Sequence, residues 1–474
     1  MSKSAGTLFP RQLTFEYNEN PIQSTDNQPE LLIKLLSDDL DFQNIDGKYA
    51  SHNFHSFPAK FPPQLPQKFI SVLTKPGEIV LDPMSGSGTT VLEAYFSGRI
   101  GIGCDIDPLA IMISKVKTTY LNPNELIRFS HQIIKNAKSE LLNEKKNLEN
   151  ILTSRWSPGT KAFVEYWFTD EIRMQLQSLS NQINKIQNPD IRTFFKLVFS
   201  AIIITKSGGV SLALDLAHTR PHKAKITFSA DSKVIYGNEH LAGNDLRNKI
   251  LIKKLRNPFD EFEKRAKSNI KGLLSLDGGQ IKPQICFGNA QKLPLQDESI
   301  DLVVTSPPYA SNAIDYMRAH KFSLVWFGYK TEELTSKRKE YIGSEMVQKF
   351  NGENLPEYTQ GIVNEITKLD AKKGKVLNRY YSEMTKVLRE MYRILKSNKA
   401  AIFVVGSSIM RAKDTETQNC LAEIGQSVGF KVPKIGVRKI DRNKRMLPVG
   451  QITNKNSQIQ QRMHEEYIIG FYKP

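Results

Sequence analysis

The pentapeptide Thr305-Ser306-Pro307-Pro308-Tyr309 ends an apolar run, Ile300-Asp301-Leu302-Val303-Val304, whose composition suits a buried parallel strand. Two consecutive prolines cannot continue a sheet ladder, because they lack an N–H and hold the residue before each out of helical space. The chain must turn there with its carbonyls exposed. Those carbonyls and the Ser306 hydroxyl are acceptors beside the flat ring of Tyr309, which suits a planar ligand that donates hydrogen bonds through an amino group. A flipped-out nucleobase fits that description; a proline turn after a core strand is the plainer alternative.

A second stretch runs Gly77-Glu78-Ile79-Val80-Leu81-Asp82-Pro83-Met84-Ser85-Gly86-Ser87-Gly88-Thr89-Thr90, in the pattern strand, glycine loop, helix. Gly86 and Gly88 let backbone approach a ligand, and the helix start offers free N–H groups. A phosphate-binding P-loop needs a lysine that Thr89-Thr90 does not supply, and a dinucleotide fingerprint needs a third glycine where Val91 stands. What remains is a loop with an acid, Asp82, at its mouth, suited to a ligand carrying an ammonium group. A second strand, Ile100-Gly101-Ile102-Gly103-Cys104-Asp105, ends in another acid, the position that binds ribose hydroxyls in doubly wound folds. Asp107-Pro108 then starts a helix over 109–115. Upstream, His52 and His55 have no further ligands nearby, which favours hydrogen-bonding roles over a metal site; residues 64–73 read as a helix.

These pieces need a scaffold, and 474 residues, 39% hydrophobic and 24% charged, suffice for a large α/β domain with a second module. A net charge of +17, from 66 Lys+Arg against 49 Asp+Glu, favours a polyanionic partner. The chain shows no stretch of about 18 apolar residues and no apolar run behind its first residues, so a cytoplasmic protein without a membrane span is expected. Cys104, Cys286 and Cys420 lie far apart in sequence, in no metal-ligand spacing, and read as buried thiols rather than a disulfide framework.

Together the motifs resemble the S-adenosylmethionine-dependent DNA amino-methyltransferases, whose cofactor loop has the form Asp-Pro-Phe-x-Gly-x-Gly-Thr and whose catalytic loop is Ser/Asn/Asp-Pro-Pro-Tyr/Phe. Met84 replaces the usual Phe, and Pro58-Ala59-Lys60-Phe61 resembles the family's remaining cofactor motif. The resemblance covers residues 51–120 and 283–474 and implies a Rossmann-like α/β fold: a mostly parallel seven-stranded sheet with a C-terminal antiparallel hairpin. It implies S-adenosylmethionine as cofactor, bound by Lys60, Phe61, Asp82, Pro83, Met84, Gly86, Gly88, Thr89 and Asp105. A strand over 283–287 leads to Asn289 and Ala290, which the family places beside the cofactor's adenine, with Asn289 standing where Asp is commoner. The implied catalytic residues are Ser306, Pro307, Pro308 and Tyr309.

Residues 1–50 form an N-terminal extension whose amphipathic segment at 31–36 should pack on the main domain. Residues 121–282 are an insertion between the two halves of the methyltransferase pattern, helical at 125–149, 171–186 and 191–205, and residues 121–285 carry 26 Lys+Arg against 16 Asp+Glu. Its loop Ala217-His218-Thr219-Arg220-Pro221-His222-Lys223 marks it as a candidate target-recognition module, with Arg220, His222 and Lys223 as DNA contacts; a helical cap or dimer surface is the alternative. Further on, 313–327 and 380–395 read as helices, 336–375 as a polar stretch, 400–405 as a strand, and 430–439 with 466–472 as the edge hairpin. Residues 431–462 hold nine Lys/Arg, among them Arg438, Lys439, Arg442, Lys444 and Arg445, against one acid, Asp441, a density that favours phosphate contact over a solvated loop.

The resemblance implies methyl transfer to an exocyclic amino group in duplex DNA, with a cognate restriction endonuclease as candidate partner and no indication of oligomeric state. Such an amino group is a poor nucleophile because its lone pair is conjugated into the ring. Acceptors on both N–H bonds, which the family would assign to Ser306 and the Pro307 carbonyl, orient the nitrogen toward the methyl group. Tyr309 would stack on the extruded base, worth about 1–3 kcal/mol. Methylation of a ring carbon would need a cysteine after a proline, and no cysteine here follows one. Ser306 before Pro-Pro-Tyr points, within the family, to cytosine N4. The alternatives are adenine-N6 methylation, an RNA amino-methyltransferase with similar loops, and a DNA-binding protein that has lost catalysis, against which the intact motifs argue.

Overall fold

The computed structural model describes residues 27–43, 45–57, 60–214, 216, 221–229, 233–237, 252–276, 281–310, 315–344, 352–440 and 465–474. Its strands are β1 (Ile79–Asp82), β2 (Ile100–Asp105), β3 (Ile226–Phe228), β4 (Val234–Tyr236), β5 (Ile252–Lys254), β6 (Gln284–Phe287), β7 (Ile300–Thr305), β8 (Leu395–Val405), β9 (Ile409–Met410), β10 (Lys413–Asp414), β11 (Lys431–Lys439) and β12 (Glu465–Lys473). Seven of them form one sheet in the order β11-β12-β8-β7-β1-β2-β6. From β6 to β8 neighbouring strands are parallel, whereas β12 runs antiparallel to both β8 and β11. This is the Rossmann-like sheet with an antiparallel C-terminal hairpin.

The central strands are apolar on both faces, as strands covered by helices on two sides must be. On one face Val80, Leu302, Ile402 and Ile468 pack against α1 (Gln28–Ser37) and α2 (Gln64–Leu73) through Leu32, Leu36, Phe69 and Ile70. Their strand neighbours Leu81, Val303, Ala401 and Ile469 point the other way. There they share a core with helices that follow β7 in sequence. The connections α3 (Thr89–Phe96) and α4 (Pro108–Lys117) follow β1 and β2.

Beyond α4 the chain leaves the sheet for α5 (Pro123–Asn143), α6 (Lys145–Ser154), α7 (Pro158–Trp167), α8 (Asp170–Asn184), α9 (Pro189–Ile203) and α10 (Pro258–Leu273). Many of these helices begin the same way. Asn122, Ser157, Asn188 and Asn257 each precede a proline and accept a backbone N–H of the first turn, as Asp107 does for α4; a proline at the first helical position loses nothing, because its N–H has no intrahelical partner. Between α9 and α10 lies a small sheet, β4-β3-β5, which a purely helical reading of the insertion did not anticipate. Three-residue strands are too short to show a period. After the loop that follows β7 come α11 (Tyr316–Leu324), α12 (Thr331–Lys337), α13 (Glu357–Leu369), α14 (Ala371–Ile394) and α15 (Thr417–Val428).

Parallel pairing also aligns Cys104 with Cys286 on β2 and β6, bringing their sulfur atoms to 2.7 Å as free thiols. The third cysteine, Cys420, is buried in α15.

The N-terminal helix docks on the hairpin because glycine leaves room for it. A Cβ on Gly470 of β12 would stand 2.6 Å from Leu36 Cδ1 and 3.0 Å from both Leu32 methyls. Gly470→Val is therefore expected to destabilise the protein by about 1–3 kcal/mol, read from urea unfolding; an unchanged midpoint would show that α1 docks without relying on this contact.

Candidate active site

In an open parallel sheet the crevice for a ligand lies outside the carboxyl ends of the strands. The pocket found here is lined from those ends. From β1 come Asp82, Pro83, Met84, Ser85, Gly86, Ser87 and Thr89; from β2, Asp105, Ile106 and Asp107; from β6, Gly288, Asn289 and Ala290; from β7, Ser306 and Pro308. Phe57, Lys60 and Phe61 enter ahead of α2, and Tyr316, Tyr341 and Ile342 enter from beyond the β7 loop. Every residue expected from sequence to touch the cofactor lines this pocket except Gly88.

Gly88 serves the pocket from behind. It precedes α3 with φ +71°, and a Cβ there would fall 2.6 Å from Ser114 Oγ and 3.0 Å from Ser114 Cα of α4. Gly86, at φ +48°, donates its N–H to Asp105 Oδ2 at 2.8 Å. Ser85 Oγ, buried on the pocket wall, has no hydrogen-bond partner. A cradle shaped by two left-handed glycines and an unsatisfied hydroxyl is what a polar ligand pressed against the loop requires.

Three acids face this space under different constraints. Asp82 Oδ1 accepts from Met84 N at 3.2 Å and from Thr305 Oγ1 at 2.7 Å. Burial nevertheless pushes its carboxyl up to about 6. Asp105 caps two backbone amides, Gly86 N and Asp107 N; burial first, then the neighbouring Asp107, raise it to about 7. Burial acts on Asp107 too, but His320 Nδ1 at 2.6 Å and the amide of Leu109 outweigh it and hold this carboxyl below its ordinary value.

Lys60 is half-buried, and its ammonium donates to the carbonyls of His52 at 3.1 Å and His55 at 2.7 Å. Burial, then Arg265, lower it to about 8. The histidines are themselves occupied: His52 Nε2 lies 2.7 Å from Glu93 Oε1, and His55 Nε2 lies 3.0 Å from Ser200 Oγ. Asn289 Oδ1 accepts Gln291 N, which fixes the turn after β6.

Of the residues expected from sequence to be catalytic, Ser306 and Pro308 line the pocket, whereas Pro307, which is buried, and Tyr309 do not. Tyr309 is half-buried, with its hydroxyl donating to Glu466 Oε1 of β12 at 2.9 Å. The aromatic wall was not legible as part of the site. Tyr316 stacks on Phe57 with centroids 5.2 Å apart and planes at 23°, and Tyr341 adds a second phenol. Phe57 sits beside the Pro-Ala-Lys-Phe stretch and Tyr316 in an aromatic-rich helix, signals too general to single either out.

The basic residues divide. Lys223 is sandwiched between the rings of Tyr166 at 4.0 Å and Tyr236 at 4.3 Å, so its ammonium is engaged within the insertion. His222 beside it is exposed. Arg438 is a correction: strand alternation turns it inward, where it is 6% exposed and ion-paired with Glu466, while Lys439 faces solvent. Arg220, Arg442, Lys444 and Arg445 lie outside the described residues.

A family model described as DNA methylase matches residues 14–116. Type II methyltransferase M.MvaI of Kocuria varians is 25% identical over 439 residues, 88% of this chain and 89% of that one. Type II methyltransferase M.BsoBI of Geobacillus stearothermophilus is 22% identical over 86% of this chain and 84% of its own. DNA adenine methyltransferase YhdJ of Escherichia coli is 34% identical over 92 residues, 19% of this chain and 29% of its own. Among the described residues no helix is long and apolar enough to cross a membrane.

The raised carboxyls make a prediction about the ligand-free protein. An acid with a folded pKa of about 7 against an ordinary 3.8 binds its proton more tightly when folded, so its contribution to stability falls as pH rises between those values. Asp105→Asn removes that slope. Urea unfolding should show the variant gaining stability relative to wild type between about pH 5 and about pH 8; a constant difference would mean that Asp105 ionises freely in the folded state.

Proposed function

Because this chain belongs to the DNA amino-methyltransferases, which take their methyl group from S-adenosylmethionine, we propose that it methylates the N4 amino group of cytosine at a specific site in duplex DNA. The observation that carries this reading is one pocket lined both by the Asp82 and Asp105 loops and by Ser306 and Pro308. It joins a place for a methyl donor to a place for an amino group.

The residues fit the cofactor. Asp105, at the end of β2, suits the ribose hydroxyls, and Asn289 and Ala290 the adenine. The glycine loop with its unsatisfied Ser85 hydroxyl suits the amino-acid end, with Asp82 the acid nearest that loop. Bound S-adenosylmethionine supplies an electrophilic methyl group. The chain supplies orientation: in this reading Ser306 Oγ and the Pro307 carbonyl accept the two amino hydrogens, and the Tyr309 ring packs on the base.

Ser306 at the head of the loop supports cytosine over adenine, since a short hydroxyl can fill the acceptor role where the family more often uses Asp or Asn for adenine. The relative named for adenine matches only 19% of the chain, too little to decide the base. The insertion and the basic stretch over 431–462, in a chain of net charge +17, support target recognition and phosphate contact respectively. Two relatives matched over most of their length are named Type II methyltransferases, and a cognate restriction endonuclease is the partner we propose for this chain.

Mass spectrometry of nucleosides from DNA of a methylation-free host expressing this chain should show N4-methylcytosine. N6-methyladenine in its place would overturn the cytosine assignment, and neither base would overturn the function. Ser306→Ala should lower kcat on the order of a hundredfold with the affinity for S-adenosylmethionine retained. Asp105→Ala should weaken that affinity about ten- to hundredfold, measured by calorimetry; unchanged affinity in a folded variant would remove Asp105 from the site.

A further inference from the structure

We infer that Glu466 is a positioning residue for the Tyr309 ring, and that this is why the loop ends in tyrosine rather than phenylalanine. The inference rests on the proposed methyltransferase reading of the site. Stacking on a base needs only a ring face, which phenylalanine also supplies. The phenol here does something a phenyl ring cannot: its hydroxyl donates to Glu466 Oε1 at 2.9 Å, besides a hydrogen bond with the Ser306 side chain, so only substitution of Glu466 isolates the positioning contact. The other oxygen of the same carboxylate, Oε2, accepts from Arg438 Nη1.

Each link is fixed from behind. Arg438 and Glu466 are directly opposite in the β11/β12 register, and the next residue, Tyr467, is paired with Val405 of β8. Both charged side chains are largely withdrawn from water, 7% and 13% exposed. A carboxylate held on one side by a buried guanidinium presents its other oxygen in one direction. The ring is thereby tied at its far end to the sheet edge, while the prolines before it stiffen the near end. A base entering beside Ser306 meets an aromatic face already oriented, and the entropy of ordering that ring has been lost on folding rather than at the transition state.

The test is a double-mutant cycle on Tyr309→Phe and Glu466→Ala, with Glu466→Gln as the conservative variant, in the full-length chain. Tyr309→Phe leaves the Arg438–Glu466 pair intact, so it remains informative should Glu466→Ala fold poorly. The readouts are methyl transfer into duplex DNA, the dissociation constant for S-adenosylmethionine, and the fluorescence of a 2-aminopurine at the target position as a report of base extrusion. Tyr309→Phe and Glu466→Ala should each lower kcat on the order of tenfold, with cofactor affinity unchanged and altered 2-aminopurine emission. The double variant should be no worse than Tyr309→Phe alone, and Glu466→Gln, which keeps an acceptor oxygen, should recover most of the rate. Tyr309→Phe within twofold of an active wild type, or losses that multiply, would overturn the inference while leaving the function standing. A wild-type chain that transfers no methyl group to DNA would overturn the function itself.

Discussion

The site depends on a buried hydrogen bond between two strand ends. Thr305 Oγ1, on the last residue of β7, donates to Asp82 Oδ1, on the last residue of β1, at 2.7 Å. The ladder between these strands pairs Val80 with Leu302 and Leu81 with Val303. Past that point, where the chains diverge into loops, the side-chain bond continues the connection. Met84 N donates to the same oxygen, so one carboxylate serves both the glycine loop and the turn carrying Ser306. Thr90, in the first turn of α3, adds a bond to the Val304 carbonyl at 3.1 Å. The two loops are thereby held as one rigid body, which a reaction between ligands seated on different strands requires.

That rigidity is maintained against electrostatic cost. Asp82, Asp105 and Asp107 share one wall, and burial pushes the first two carboxyls upward, to about 6 and about 7. Backbone amides offset part of the penalty: Met84, Gly86 and Asp107 N–H groups each point at one of these oxygens. Asp107 is stabilised most, because it caps α4 and also faces His320. Apolar packing on both faces of the sheet, far from the acids, supplies the stability that the pocket gives up.

The legible parts of the molecule are those whose signal is local. Asp82, Asp105 and Ser306 stand at or just beyond the ends of apolar runs, and the glycine spacing is confined to a few residues, so strand ends and loop could be read directly. What could not be read arrives from a distance. Tyr309 and Glu466 are 157 residues apart, and nothing local to either marks the bond between them. Cys104 and Cys286 are 182 residues apart, and only the register of β2 on β6 makes them neighbours. Arg438 fails differently: a count of basic residues carries no direction, whereas alternation along β11 places it on the buried face with Gly436.

The insertion shows how a long detour can remain mechanically part of the site. Its helices do not close a core of their own. Leu126, Ile133, Leu176, Phe199 and Phe262 belong to one apolar cluster with Leu109 and Ile113 of α4 and with Met317 and Phe322 of α11. Polar contacts reinforce the join: Arg155 Nη2 donates to the Trp326 carbonyl at 3.0 Å, Trp156 Nε1 to that of Val325 at 3.4 Å, and Thr331 N to Thr160 Oγ1 at 3.0 Å. Their partners directly follow α11, the helix that begins with Tyr316 on the pocket wall and carries His320 against Asp107. Close-packed interiors transmit displacement rather than absorbing it. A displacement of the insertion's helices would therefore bear on the pocket through α11.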